Sequence, residues 1–230
     1  MSKMRLLWLL LLLGWACSPS PAAQQGTKTE APPRQPAQPL SYAGGADWLE
    51  REGRADIEKP EIVLRAMNLK DGDVVADLGA GTGFYTRRLA RAVAPTGRAW
   101  ANDIQPEMLD RLQELAAKEG IANIVTVVGT ETDPKLPKGT FDWILLVDVY
   151  HELQQPEPML AKIRAALKPN GRVALVEYRA EDDSAAHISP AHRMSVEQVL
   201  AEWLPAGFLH VETIEELPSQ HLFIFSVKRP

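Results

Sequence analysis

Val74-Val75-Ala76-Asp77-Leu78-Gly79-Ala80-Gly81-Thr82-Gly83-Phe84-Tyr85 decides the fold of this chain. A short apolar run ends in an acid, three glycines alternate with small residues, and an amphipathic pattern begins. That order reads as strand, tight turn and helix start. Glycine at such a turn lets the backbone approach a ligand, because no Cβ stands in the way. The helix behind the turn offers free N–H groups. The dinucleotide-binding fingerprint, G-x-G-x-x-G, has a different glycine spacing and needs no acid before it. Here the spacing is G-x-G-x-G, with Asp77 two residues ahead of the first glycine. A carboxylate at that place repels a pyrophosphate and favours a cationic group such as an ammonium or a sulfonium.

Outward from this turn, strand and helix patterns alternate. Pro60 to Met67 reads as a helix, with proline at its first position. Strands are expected over Val74–Leu78, Arg98–Asp103, Ile124–Val128, Phe141–Val147 and Arg172–Glu177. Helices are expected from Phe84 to Val93, from Pro106 to a stop at Gly120, and from Pro156 to near Leu167. Ser195 and Gln198 form a capping box for a last helix ending near Pro205. Phe208–Ile214 and His221–Lys228 follow with no helix between them, so they read as an antiparallel hairpin. Repeated βα units give an α/β fold, a mostly parallel sheet with helices on both faces.

Ligands in such sheets sit at the C-terminal ends of the strands, so the residues following each strand are the candidates. After the first strand come Asp77, Gly79, Ala80, Gly81 and Gly83. After the second comes Asp103, whose carboxylate suits either a pair of ribose hydroxyls or the N-cap of the next helix. After the third come Thr130 and Glu131. After the fourth, Asp148, Tyr150, His151 and Glu152 place an acid, a phenol and an imidazole together. Glu177 ends the fifth strand, and His187 and His192 lie beyond it on a loop able to cover a substrate. Their spacing matches no helical ligand pair, so no metal site is expected from the sequence.

These segments, in this order, resemble class I S-adenosylmethionine-dependent methyltransferases over about residues 58–228. Within that class the likeness is to the ubiquinone/menaquinone C-methyltransferase-like group. The resemblance rests on the glycine turn, on Asp103-Ile104, on the segment after the fourth strand, on Lys168-Pro169-Asn170-Gly171 and on the final hairpin. It implies a Rossmann-like three-layer sandwich with a seven-stranded sheet. It implies S-adenosylmethionine as cofactor, Asp103 on the ribose, Ile104 against the adenine, and Asp148 towards the cofactor's amino acid part. Thr130 stands where many relatives carry an aspartate for the adenine amino group, and Thr130 or Glu131 is expected to substitute. The expected acceptor is a small molecule. If it is a hydroxyl or phenol, His151 is expected as general base, with Glu177 or Tyr150 orienting the substrate.

The N-terminus carries a different signal. Lys3 and Arg5 precede a leucine run, Leu6–Leu13, that is too short to span a bilayer. Gly14-Trp15-Ala16-Cys17 then resembles a bacterial lipoprotein processing site, though Gly14 and Trp15 depart from its usual residues. An ordinary secretory signal or an uncleaved anchor is the alternative. Cys17 is the single cysteine of the chain, so no disulfide framework or zinc cluster is expected inside the domain. Residues 18–40, rich in Pro, Ala and Gln, read as an unfolded tether, leaving residues 41–230 as the enzyme domain. A net charge of −5 weighs against nucleic acid as a partner. The resemblance to a lipoprotein implies a domain held at the cell envelope on the outer side of the inner membrane, the outer membrane being favoured by Ser18. Two rivals stand beside the methyltransferase: a membrane-tethered binding module without catalysis, and a nicotinamide-dependent oxidoreductase.

Overall fold

A computed structural model describes residues 36–227 of the protein. The expected signal, Cys17, most of the tether and Lys228 lie outside the described residues. The described chain starts with two short helices, α1 (Tyr42–Leu49) and α2 (Arg54–Glu58), broken at Gly53, whose φ is 75°. Then come α3 (Pro60–Met67), β1 (Val74–Leu78), α4 (Phe84–Ala92), β2 (Arg98–Asp103), α5 (Pro106–Lys118), β3 (Ile124–Val128), β4 (Phe141–Val147), α6 (Pro156–Ala166), β5 (Leu167–Arg179), the two-residue β6 (Arg193–Met194), α7 (Val196–Trp203), β7 (Phe208–Ile214) and β8 (Gln220–Val227).

Seven strands run in the order β3-β2-β1-β4-β5-β8-β7, and β6 pairs beside the end of β5. The strands from β3 to β5 are parallel, while β8 is antiparallel to β5 and to β7. The expected sheet and closing hairpin are therefore present. β5 is longer than its apolar core suggested. Leu167 already pairs with Phe141, and an irregularity absorbs the Lys168–Gly171 stretch before Arg172 pairs with Trp143. The capping box at Ser195 is formed, with Ser195 and Gln198 bonded reciprocally.

Successive strand side chains point to opposite faces, and the core divides accordingly. Ala76, Leu78, Ile144, Leu146, Val173 and Leu175 join α6 and α7 through Leu160, Ile163, Val199 and Trp203. Val75, Leu145, Ala174 and Val176 join α3 and α4 through Val63, Met67 and Leu89. β1 and β4, with buried residues on both faces, form the centre of the sheet. The crossover to the far side occurs between β1 and β4. The strand ends there leave a crevice that the chain fills with function rather than with core.

Candidate active site

A cavity of about 710 Å³ opens at the C-terminal ends of β1, β2, β4 and β5. Its size is that of a small-molecule site. Asp77, Gly79, Ala80, Gly81, Asp103, Ile104, Thr130, Glu131, Asp148 and His151 all line it. The backbone builds its floor. Gly79 and Ala80 donate to the Asn102 carbonyl at 2.8 and 2.9 Å, which pins the turn to the end of β2. Gly79 has φ 73°, and a Cβ there would stand 2.4 Å from Val149 Cγ2. Only glycine permits both the left-handed backbone and that approach. Gly83 serves otherwise than expected. It is not among the lining residues, and a Cβ on it would meet Leu112 at 2.4 Å. Its bareness lets α5 pack against the start of α4.

Asp103 is fastened by the chain itself. Its Oδ2 accepts from Gly81 N–H and its Oδ1 from Gln105 N–H, each at 2.9 Å. A carboxylate has roughly four lone-pair positions, so both oxygens keep capacity for a ligand. Burial raises its pKa. Asp77 is buried, accepts from Thr86 Oγ1 at 2.6 Å, and is pushed by burial up to about 6. Asp148 directly follows β4 with φ 52°, a left-handed turn that aspartate tolerates. Gln220 donates to both its oxygens, at 2.9 and 2.7 Å. Burial, with the Glu177 charge adding, lifts Asp148 to about 8. Among the lining residues the one guanidinium, Arg54, is ion-paired with Glu58 at 3.0 Å. The cavity is thus rich in carboxyl groups with little cationic compensation.

The segment after β4 departs most from expectation. His151 is 2% exposed and Glu177 is fully buried. Glu177 Oε2 lies 2.6 Å from His151 Nδ1, and Oε1 accepts from Tyr150 N–H at 2.9 Å. Glu177 is therefore not a cavity wall but the group that fixes His151. Burial opposes the imidazolium charge, yet the Glu177 carboxylate outweighs it and raises His151 to about 9. The imidazole is thus fixed through Nδ1 by Glu177 and is not the free ring expected from the sequence. Tyr150 is also displaced from its expected role. Its ring packs against Trp203, its hydroxyl donates to Glu202 at 2.5 Å, and it lines no part of the cavity.

Three further side chains enter here: His192 and Glu152, which the sequence placed near the site without a role, and Gln220, which it did not single out. His192 Nδ1 lies 3.0 Å from His151 Nε2. Burial and the neighbouring His151 lower its pKa. Glu152, raised by burial to about 7, also lines the cavity. Gln220 reaches Asp148 because β8 lies beside β5 with Gln220 opposite Tyr178. Nothing local in the sequence announces these contacts, since they join segments about 40 to 70 residues apart. The end of the expected tether is likewise part of the site. Gln38, Pro39 and Leu40 line the cavity, Ala37 N–H donates to the His151 carbonyl at 3.1 Å, and Gln105 Nε2 donates to the Leu40 carbonyl at 2.9 Å. Composition suggested an unfolded segment to residue 40, but these backbone bonds order its last residues.

Comparison with known proteins agrees with this geometry. Residues 75–171 match the family model described as a methyltransferase domain. The ubiquinone/menaquinone biosynthesis C-methyltransferase UbiE of Burkholderia vietnamiensis is 32% identical over 117 residues, covering 51% of this chain and 48% of that protein. The chain thus matches about half the length of these curated relatives. A SAM-dependent methyltransferase from Aquifex aeolicus superposes with a TM-score of 0.71 at 27% identity, over 78% of this chain and 95% of that one. The [4+2]-cyclase SpnF, at 16% identity, shares the fold alone, with a TM-score of 0.66 over 79% of this chain and 86% of its own. On fold, glycine turn and sequence likeness together, the chain has the fold of class I S-adenosylmethionine-dependent methyltransferases, and its residues 75–171 match a methyltransferase domain.

Proposed function

We propose that this protein transfers a methyl group from S-adenosylmethionine to a small-molecule acceptor at the end of the cavity bounded by His151 and His192. The observation that carries the reading is the meeting, in one cavity, of the bare glycine turn, the buried Asp77 and the lone pairs of Asp103. These residues fit the cofactor. Gly79 and Gly81 leave room where a side chain would obstruct it, and a Cβ on Gly81 would stand 2.9 Å from Leu49 Cδ1. Asp103 receives the ribose hydroxyls, Ile104 lies against the adenine, and Asp77 and Asp148 face the cationic methionine end. Thr130 and Glu131 remain the candidates for the adenine edge.

When bound, the cofactor supplies an already activated methyl group on a sulfonium sulfur. What the protein adds is alignment and the exclusion of water, which account for much of the acceleration in such displacements. Residues 38–40, α1 and the loop carrying His187 and His192 enclose the cavity. His151 is a charge-bearing group in this scheme. Held cationic by Glu177, it stabilises negative charge on an acceptor oxygen rather than removing its proton at neutral pH.

Calorimetry with S-adenosylmethionine and with a nicotinamide dinucleotide tests the reading. Tight binding of the first and none of the second supports it, and the reverse overturns it. The sheet order favours this outcome, because dinucleotide folds of order 3-2-1-4-5-6 lack the antiparallel closing hairpin that β7 and β8 form here. Cofactor binding without turnover of any acceptor would favour the non-catalytic binding module. We further propose, from residues 1–17 alone, that the domain is tethered at the cell envelope through a lipidated Cys17. No described helix is long and apolar enough to cross a membrane. Fractionation and palmitate labelling of the full-length protein, with Cys17→Ala as control, test that placement.

A further inference from the structure

We propose that His151, Glu152 and His192 form a binding site for one divalent transition-metal ion at the acceptor end of the cavity. Their ligand atoms, two imidazole nitrogens and a carboxylate oxygen, lie within 4.8 Å of one another. All three side chains line the cavity. His151 Nε2 and His192 Nδ1 are 3.0 Å apart. Metal–nitrogen bonds of about 2.0–2.1 Å set neighbouring ligands on one ion about 3 Å apart, so these two nitrogens already stand at that separation.

The surroundings match a built site rather than a chance cluster. A ligating histidine ordinarily gives its other ring nitrogen to a carboxylate, which fixes the ring and raises its basicity. Glu177 does this for His151, at 2.6 Å from Nδ1, with both residues buried. Glu177 is itself fixed by Tyr150 N–H at 2.9 Å. The His192 ring meets that of His151 edge-on, with an interplanar angle of 77°. His192 arrives on a short turn, Pro190–His192, whose end is tied to β5 through β6.

Two imidazoles and one carboxylate suit zinc, iron(II), cobalt(II) or manganese(II) better than magnesium or calcium, which prefer oxygen-only sets. Three protein ligands leave coordination positions open towards the cavity. On the methyl-transfer reading, those positions receive an oxygen of the acceptor, which makes the acceptor class an oxygen chelator such as a phenolate or hydroxy acid. Metal binding releases the Nε2 proton of His151. With the ion bound, it is the metal, in place of the imidazolium, that bears the positive charge facing the acceptor. The metal site itself does not depend on the methyl-transfer reading.

Cobalt(II) is the probe, because its visible ligand-field bands report nitrogen and oxygen ligation. The full-length protein in detergent is stripped with EDTA and titrated with cobalt(II) and, in parallel, with zinc by calorimetry. The expected result is one equivalent bound with bands that saturate at that ratio. His192→Ala and Glu152→Gln are each expected to weaken binding at least tenfold. Glu177→Gln, acting through His151, is expected to weaken it about 10- to 100-fold. His187→Ala, on the same loop, is expected to leave it unchanged. S-adenosylmethionine binding, measured on each variant in EDTA, reports that it is folded. Should His192→Ala lose that too, the near-isosteric Glu152→Gln carries the test. No saturable cobalt binding, or binding indifferent to both His192→Ala and Glu152→Gln, overturns the site. Metal binding without S-adenosylmethionine binding would instead overturn the cofactor reading and leave this site standing.

Discussion

The two ends of the cavity are built on different principles. At the cofactor end, neighbours in sequence are neighbours in space. Asp77, Gly79 and Gly81 belong to one turn, and Asp103 reaches that turn by a bond to Gly81 N–H from the adjacent strand β2. At the acceptor end, His151 depends on Glu177 from β5 and meets His192 from a distant loop, while Asp148 depends on Gln220 from β8. The first end is mostly backbone, rigid and generic to the fold. The second is built mainly from side chains that distant segments bring together. Specificity in this architecture is grafted onto a common frame.

Four measurements sharpen or break that contrast, in descending order of effect. Asp103→Ala is expected to weaken S-adenosylmethionine binding about 100-fold, since hydrogen bonds to a charged group contribute about 1.5–3 kcal/mol each. Affinity within threefold of the parent in calorimetry would remove Asp103 from the cofactor end. Gly79→Ala touches both ends at once, because the added Cβ meets Val149 Cγ2 at 2.4 Å on a backbone with φ 73°. Overpacking and left-handed strain together predict a loss of about 2 kcal/mol. An unchanged denaturation midpoint would show that the post-β4 loop yields freely.

The third concerns pH. Burial raises Asp77 from 3.8 to about 6. In the ligand-free protein its contribution to stability is therefore full below pH 3.8 and is lost as pH rises through about 6. A cation bound beside it prefers the ionised form, so affinity for S-adenosylmethionine moves the other way. It is expected to climb by up to about tenfold per pH unit across that ionisation, and Asp77→Asn is expected to flatten the slope. A flat profile in the unaltered protein would separate Asp77 from the bound charge. The smallest effect is expected for Tyr150→Phe. It removes one hydrogen bond to Glu202, for about 1 kcal/mol of stability, and leaves kcat within twofold. A large fall in kcat with unchanged melting would return Tyr150 to the acceptor end.

How much was legible follows the same division. The turn at Gly79–Gly83, the proline starts of α3, α5 and α6, the capping box at Ser195 and the final hairpin each carry a short-range signature, and each lies where that signature put it. Asp77, Asp103 and Asp148 were visible because strand ends converge in any sheet of this kind. Tyr150 and His151 were equally visible as neighbours, but not which of them faces the cavity. Tyr150 goes inward because Trp203 offers a packing partner from α7. The proline-rich composition before residue 41 hid the backbone bonds that draw Ala37 to His151.

The amino-acid order by itself determined the alternation of elements, the glycine turn and the acids at the strand ends, because these follow from periodicity and backbone sterics acting over a few residues. The pairing of His151 with Glu177 and His192, the clamp of Gln220 on Asp148 and the inward turn of Tyr150 were decided only by tertiary structure. They depend on strand register and on which buried polar groups can satisfy one another, and neither is encoded within any one segment.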